Sequence, residues 1–258
     1  MAQITVQGIN FDANSSFQRG PAKAPALIRN AFYSDSGNSY SEDLILIDSS
    51  VFSDAGDFEI KDYFDIESIT KANLRQTDKL LTLGGDHSIT FPLMKAYREK
   101  YSSFDILQID AHSDLYHDFE GNPYSHASPF ARIMENNLAD RLIQIGVRTL
   151  TPHQKEQAER FGVEIITMPD FDLSSLPVYD KPLYVSLDMD GFDPAFAPGV
   201  SHHEPGGLST REVLSILHQI NVPIIGADIV EYNPDRDFRE MTAYLAAKMM
   251  KELLAKMI

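Results

Sequence analysis

Eight short apolar runs recur along the chain: QITVQGI (3–9), DLILID (43–48), KLLTLG (79–84), FDILQID (104–110), RLIQIGV (141–147), VEIITM (163–168), LYVSLDMD (183–190) and VPIIGADIVEY (222–232). Most are continuous rather than alternating. A strand apolar at every position is covered on both faces, as in a parallel sheet packed between helices. Between many of them stand stretches of helical period: APALIRNAF, FPLMKAYREKY, SPFARIME, PHQKEQAERFG and TREVLSILHQI. The chain closes on a long amphipathic pattern, FREMTAYLAAKMMKELLAKMI. Alternation of this kind predicts an α/β fold of three layers, with helices on both sides of a mostly parallel sheet. The 258 residues carry no Pro/Gly/Ser-rich linker, internal repeat or low-complexity tract, so 1–258 is expected to form one domain.

In an open parallel sheet, ligands bind in the crevice beyond the carboxyl ends of the strands. Four polar clusters fall at such ends. GGDHS follows KLLTL and carries Asp86 and His87; DAHSD follows FDILQ and sets Asp110, His112 and Asp114 at every second position. DMDGFDP follows LYVSL with Asp188, Asp190 and Asp193, and EYNPDRD follows IIGADIV with Glu231. Singly, most have an ordinary explanation: Asp86 as a helix cap, Asp188 and Asp190 as turn residues. DAHSD is harder to dismiss. Burying two acids costs several kcal/mol unless something cationic pairs with them, and His112 supplies one charge at most. Together His87, Asp110, His112, Asp114, Asp188 and Asp190 are two imidazoles and four carboxylates. That set suits hard or borderline divalent ions such as Mn²⁺. It is too rich for one catalytic ion with open positions, and about right for two ions sharing carboxylates at roughly 3.5–4 Å.

Composition narrows the field. Without cysteine there are neither disulfides nor thiolate metal sites. The formal charge of −16 disfavours nucleic acid and favours a cationic ligand or bound metal, although solubility alone would also explain it. No run of about 18 apolar residues predicts a membrane span. The start, MAQITVQGINFD, lacks the basic and apolar regions of a signal peptide, so a cytoplasmic location is expected.

At these residues the sequence resembles the ureohydrolase family of arginase, agmatinase and formimidoylglutamase. GGDHS, DAHSD and SLDMDGFDPAFAPG followed by EPGGLS carry the likeness, and FDANSSFQRGPAKAPALIR and DIVEYNPDRD extend it over nearly the whole chain. The resemblance implies an eight-stranded, mostly parallel sheet flanked by helices. It also implies two Mn²⁺ ions per chain that activate a bridging hydroxide, which attacks a guanidinium carbon and releases urea. Carried over residue by residue, His87, Asp110, Asp114 and Asp188 would hold one ion, and Asp110, His112, Asp188 and Asp190 the other. His126 in YSHASP would be the general acid and proton shuttle, with His117 as its rival. Glu231 would bind the guanidinium. A homo-oligomer, trimer or hexamer, is implied as well, and the apolar residues Met249, Met250, Leu253, Leu254, Met257 and Ile258 suggest a surface for it.

Of the remaining histidines, His153 and His218 sit in helical patterns, while His202 and His203 occupy a loop that in relatives lies near the active site. The loop LYHDFEGNPYSHASP offers Asp118 and Glu120 and no Ser/Thr cluster before His126, and Ala127 replaces the usual glycine. An acidic loop suits a cationic tail better than a carboxylate, so the expected substrate is agmatine, cleaved to putrescine and urea. The alternatives are a ureohydrolase acting on guanidinobutyrate, arginine or another guanidino compound, or a non-catalytic metal-binding relative. A degenerate relative is expected to have lost one of these eight residues, and none is missing. Formimidoylglutamate would need a cation near the site, and nothing in the sequence places Arg132 or Arg148 there. A two-metal phosphoesterase would likewise want Arg or Lys around the ions.

Overall fold

The structure, a computed structural model, describes residues 4–258. Eight strands form one sheet: β1 (Ile4–Asn10), β2 (Phe52–Glu59), β3 (Lys79–Leu83), β4 (Asp105–Ile109), β5 (Arg141–Val147), β6 (Glu164–Thr167), β7 (Leu183–Asp188) and β8 (Ile224–Val230). Every neighbouring pair is parallel, in the order β2-β1-β3-β8-β7-β4-β5-β6. The helices are α1 (Ala24–Phe32), α2 (Asp65–Leu74), α3 (Thr90–Lys100), α4 (Pro129–Glu135), α5 (Pro152–Phe161), α6 (Thr210–His218) and α7 (Met241–Met257). One face packs Ile28 of α1, Leu214 and Leu217 of α6 and Met250 and Leu254 of α7 against Val6, Leu81, Val185 and Ile229. The other packs Ile66 of α2, Leu93 and Tyr97 of α3 and Phe130 of α4 against Leu80, Ile106 and Tyr184. The continuous apolar runs are therefore strands buried on both faces, as in β4, β7 and β8, where every residue is buried.

Seven of the eight runs contain a strand; Gln3, the first residue of the first run, lies outside the described residues. DLILID (43–48) does not. It is a loop with an isolated bridge between Tyr40 and Leu46. Leu44 takes a left-handed φ of +60° and is 80% exposed, while Ile47 tucks into the core. The eighth strand is instead FSDAGDFE (52–59), an edge strand whose second face looks to solvent, so it carries the polar residues that hide it from a search for apolar runs. Helix α2, DIESITKANL, shows no clear apolar stripe for a similar reason: it buries only Ile66, Thr70 and Leu74.

The C-terminal helix also departs from expectation. Met249, Met250, Leu253, Leu254 and Met257 are fully covered within the chain, and only Ile258 is exposed. Their apolar character is explained by the core and offers no surface to a partner. Among the described residues no helix is long and apolar enough to cross a membrane.

The order of strands matters more than their number. β3, β8, β7 and β4 are consecutive neighbours at the centre of the sheet. Their carboxyl ends carry GGDHS, EYNP, DMDG and DAHSD, so four motifs spread over 150 residues of sequence emerge side by side. Gly85 is what lets the first fit. A Cβ there would stand 1.7 Å from the carbonyl oxygen of Phe11, which accepts the Asp86 N–H at 2.9 Å. Gly85→Ala must drive the β1 and β3 ends apart. It is expected to cost about 3 kcal/mol, a fall in Tm of roughly 6–12 °C in thermal unfolding; a Tm within 2 °C of the parent would refute the crowding.

Candidate metal centre and substrate cavity

His87 Nδ1 lies 3.1 Å from one carboxylate oxygen of each of Asp110, Asp114 and Asp188. It is buried, and none of the three oxygens meets it in hydrogen-bond alignment. The other ring nitrogen explains the orientation. Ser186 Oγ donates to Asp228 Oδ1 at 2.7 Å, so it can only accept from His87 Nε2–H, at 2.9 Å. Asp228 is in turn held by Thr90 Oγ1 and Tyr184 OH, at 3.0 and 2.9 Å. The chain Asp228–Ser186–His87 thus fixes the tautomer and aims Nδ1 at the three acids.

A second group adjoins the first. His112 Nδ1 lies 3.1 Å from Asp190 Oδ2 and 3.5 Å from Asp110 Oδ1. One potential ligand atom from each of His87, Asp110 and Asp114 falls within 4.8 Å of the others, and the same holds for Asp110, His112 and Asp190. Asp110 is the residue the two groups share. Its carboxylate is set by Gln108 Nε2 at 2.7 Å on Oδ2 and by the His112 N–H at 2.7 Å on Oδ1. Asp188 joins through His87 and accepts the Asp190 N–H at 2.7 Å. All six side chains expected to meet at the strand ends therefore do meet.

The electrostatics show what is missing. Burial, with Asp190 and Asp110 beside it, pushes the Asp188 carboxyl well above the carboxylate range. Burial and the charge of Asp110 lift Asp114 to about 6. Asp114 and Asp188 thus resist ionisation unless cations lie beside them, whereas His87 and His112 hold Asp110 ionised against its burial. The unpartnered Nδ1 of His87, ringed by carboxylate oxygens, is the feature that a divalent ion fits. Asp114 and Glu231 both take left-handed φ angles, +48° and +62°. Such conformations cost on the order of 1–3 kcal/mol each in non-glycine residues and cluster at working sites.

Beside these groups opens a cavity of about 340 Å³. Asp114, Asp188, Asp190, His112 and Glu231 line it from the strand ends and His126 from the loop before α4; the lining also includes Ser16, Tyr116, Phe119, Thr149, Thr151, Gln154, His202 and Glu204. His126 Nδ1 is 2.8 Å from Glu231 Oε1, which also accepts the His87 N–H at 2.8 Å. Burial opposes a charge on His126, but Glu231, with Asp86 and Asp114, outweighs it and holds the imidazole at about 9. His117, the rival, is half exposed and paired with Arg132 and Glu135, away from the cavity lining. His153 stacks on Tyr116, His218 approaches Glu252, and His203 donates to the Pro198 carbonyl; none of them lines the cavity.

The acidic loop needs correction. Asp118 and Glu120 do not line the cavity: Asp118 Oδ1 accepts the Gly121 N–H, and Glu120 and Gly121 turn the loop with φ of +53° and +82°. Phe119, flanked by Asp118 and Glu120, lines the cavity in their place, with Tyr116, His126 and Ala127 of the same loop, and the lining acid outside the strand-end motifs is Glu204. Neither Arg148 nor Arg132 faces the cavity. The Arg148 guanidinium is consumed by backbone carbonyls of Gly146, Asp190, Gly191, Phe192 and Glu204, at 2.7–3.2 Å. It braces the loops that present Asp190 and Glu204.

The comparisons agree with this architecture. The arginase-family model matches residues 2–255. The chain is 45% identical over 277 residues to the mitochondrial arginase 1 of Arabidopsis thaliana, covering 99% of this chain and 81% of that protein. The arginase structure from Medicago truncatula superposes with a TM-score of 0.92 at 44% identity, over 99% of this chain and 87% of that one. The agmatine ureohydrolase of Thermoplasma volcanium superposes with a TM-score of 0.88 at 32% identity, over 99% and 90%. With its motifs gathered at one end of an arginase-like sheet, the chain belongs to the arginase family.

Proposed function

We propose that the protein hydrolyses a guanidino compound, releasing urea and an amine, and that L-arginine is the favoured substrate. The observation that carries the hydrolase reading is His87 Nδ1, oriented from behind and facing three carboxylates without a hydrogen bond. His87, Asp110, Asp114 and Asp188 would hold one Mn²⁺, and Asp110, His112, Asp188 and Asp190 a second. Bound there, the ions would supply Lewis acidity and a water that ionises near neutral pH. Glu231 would pair with the guanidinium through the oxygen that His126 and His87 leave free, and His126, held protonated beside it, would be the source of the proton the leaving amine needs.

The tail is where the reading differs from the agmatine expectation. The acids that argued for agmatine stand outside the cavity. Gln154 lines it with Oε1 committed to the Thr151 N–H and hydroxyl of its helix cap, which leaves its NH₂ for a carboxylate. Glu204 offers a partner for an α-ammonium. The likeness to the plant arginase at 45% identity, against 32% for the agmatine ureohydrolase, points the same way. Urea release from arginine, agmatine and guanidinobutyrate by Mn²⁺-loaded protein tests the choice. Arginine is expected to exceed both in kcat/KM by at least about tenfold, the scale of one well-placed polar contact. Agmatine turned over faster than arginine would restore the cationic-tail reading. An absence of urea from all three would leave a non-catalytic relative.

A further inference from the structure

The loop after β1 contributes to the cavity a hydroxyl that neither motif nor family likeness singles out. Ser16 Oγ lies 2.8 Å from His126 Nε2. His126 Nδ1 faces Glu231 Oε1, and a carboxylate oxygen only accepts, so Nδ1 carries its hydrogen permanently. Nε2 is then the nitrogen whose proton comes and goes. Among the described residues its hydrogen-bond partner is Ser16, and a hydroxyl can serve both states: it accepts from Nε2–H and donates to a bare Nε2. His126 is 9% exposed, whereas Ser16 is exposed and lines the cavity. The hydroxyl therefore stands between a buried imidazole and the open side of the site.

The contact is built rather than incidental. Asp86 accepts the Asn14 N–H at 3.0 Å and the Ser15 hydroxyl at 3.2 Å, tying the loop to the end of β3. The Asn14 carbonyl accepts the His126 N–H at 3.1 Å, tying it to the segment that carries the histidine. Next along the chain, Phe17 meets the His202 ring edge-on at 5.5 Å, and His202 meets His126 at 5.4 Å. Ser16 is thus registered against His126 from both sides.

We infer that Ser16 is the relay through which His126 exchanges its proton with the cavity. In the forward direction the Nε2–H bond breaks as a Ser16 O–H bond forms, while the hydroxyl's own proton passes to the leaving nitrogen. Ser16 ends as it began, and His126 is left neutral with its Nδ1–H still donated to Glu231. Reprotonation runs the same path backwards from water. The relay rests on the guanidino-hydrolase reading above, and the experiment separates the two. Ser16→Ala, Ser16→Thr and the parent are compared on arginine with Mn²⁺ bound, with metal content, kcat, KM and the solvent deuterium isotope effect on kcat measured for each. Ser16→Ala is expected to keep its metal and a KM within about threefold, to lose ten- to a hundredfold in kcat, and to show a larger isotope effect as proton delivery becomes limiting. Ser16→Thr, which keeps the hydroxyl, is expected to recover most of kcat; if it does not, the relay is wrong, because loop disruption alone would account for the loss. A Ser16→Ala protein with parental kcat and isotope effect would overturn the relay and leave the hydrolase reading standing. A parent that releases no urea from any guanidino compound would overturn both.

Discussion

Asp110→Ala protein, stripped with chelator and reloaded with Mn²⁺, is expected to retain neither ion and to lose urea release by about four orders of magnitude, roughly 5.5 kcal/mol in the barrier. The expectation follows from its place as the residue common to both groups: one oxygen faces His87, the other His112. Asp188→Ala should behave alike if it too bridges. The carboxylates not shared give the contrast, since Asp114→Ala should spare the ion at His112 and Asp190→Ala the ion at His87. Stability supplies a readout independent of turnover. Ligand that binds only the folded protein raises its stability by mass action, so Mn²⁺ should lift the parent's Tm and leave that of Asp110→Ala unmoved. In chelator, where neither protein holds an ion, that Mn²⁺-dependent difference should disappear. Two ions bound per chain of Asp110→Ala would refute the shared position.

The central strands and the metal centre were legible in the sequence for the same physical reason. Buried parallel strands must be apolar along their length, and a buried acid at their end must find a cation, so FDILQ followed by DAHSD announces both. What escaped detection lacked one of those signals. FSDAGDFE is an edge strand with a wet face, and DLILID is apolar because a loop can also bury Ile47. Ser186 and Asp228 sit inside strand runs, where one polar residue among apolar ones gives no hint that β7 and β8 will pair them behind His87. His202 lines the cavity, as its place in the loop after DMDGFDP suggested, although His203 does not; Glu204, in EPGGLS, and Ser16, in the loop after β1, carry no signal of their own, and only the fold brings them to the cavity. Asp118 and Glu120 erred the other way: their charge suggested a substrate contact, but the turn at Glu120–Gly121 keeps both carboxylates out of the lining and sends Phe119 in.

Glu231→Gln separates substrate recognition from metal binding. Glu231 lies in neither potential metal group, so the variant should still take up two ions. The amide oxygen can occupy the place of Oε1 and accept from the His87 N–H and from His126 Nδ1, so the local hydrogen bonds have a replacement. What the substitution removes is charge, and it is felt twice. The guanidinium loses its carboxylate in a site where Glu231 is 5% exposed and water does little to compensate. His126 loses the neighbour that, against burial, keeps it protonated at about 9, so a smaller fraction carries the proton at neutral pH. Truncating one partner of a buried, hydrogen-bonded charge pair typically costs about 2–5 kcal/mol, so kcat/KM on arginine should fall by roughly one and a half to three and a half orders of magnitude. The division of the loss is informative. A ground-state guanidinium contact shows chiefly in KM, and a proton supply weakened at His126 shows in kcat; both are expected to move. Because the proton loss acts through the imidazole, lowering the pH should recover part of kcat in Glu231→Gln while leaving KM raised. Parental kcat/KM in a variant holding two ions would remove Glu231 from the substrate site, and loss of an ion would make it part of the metal centre instead.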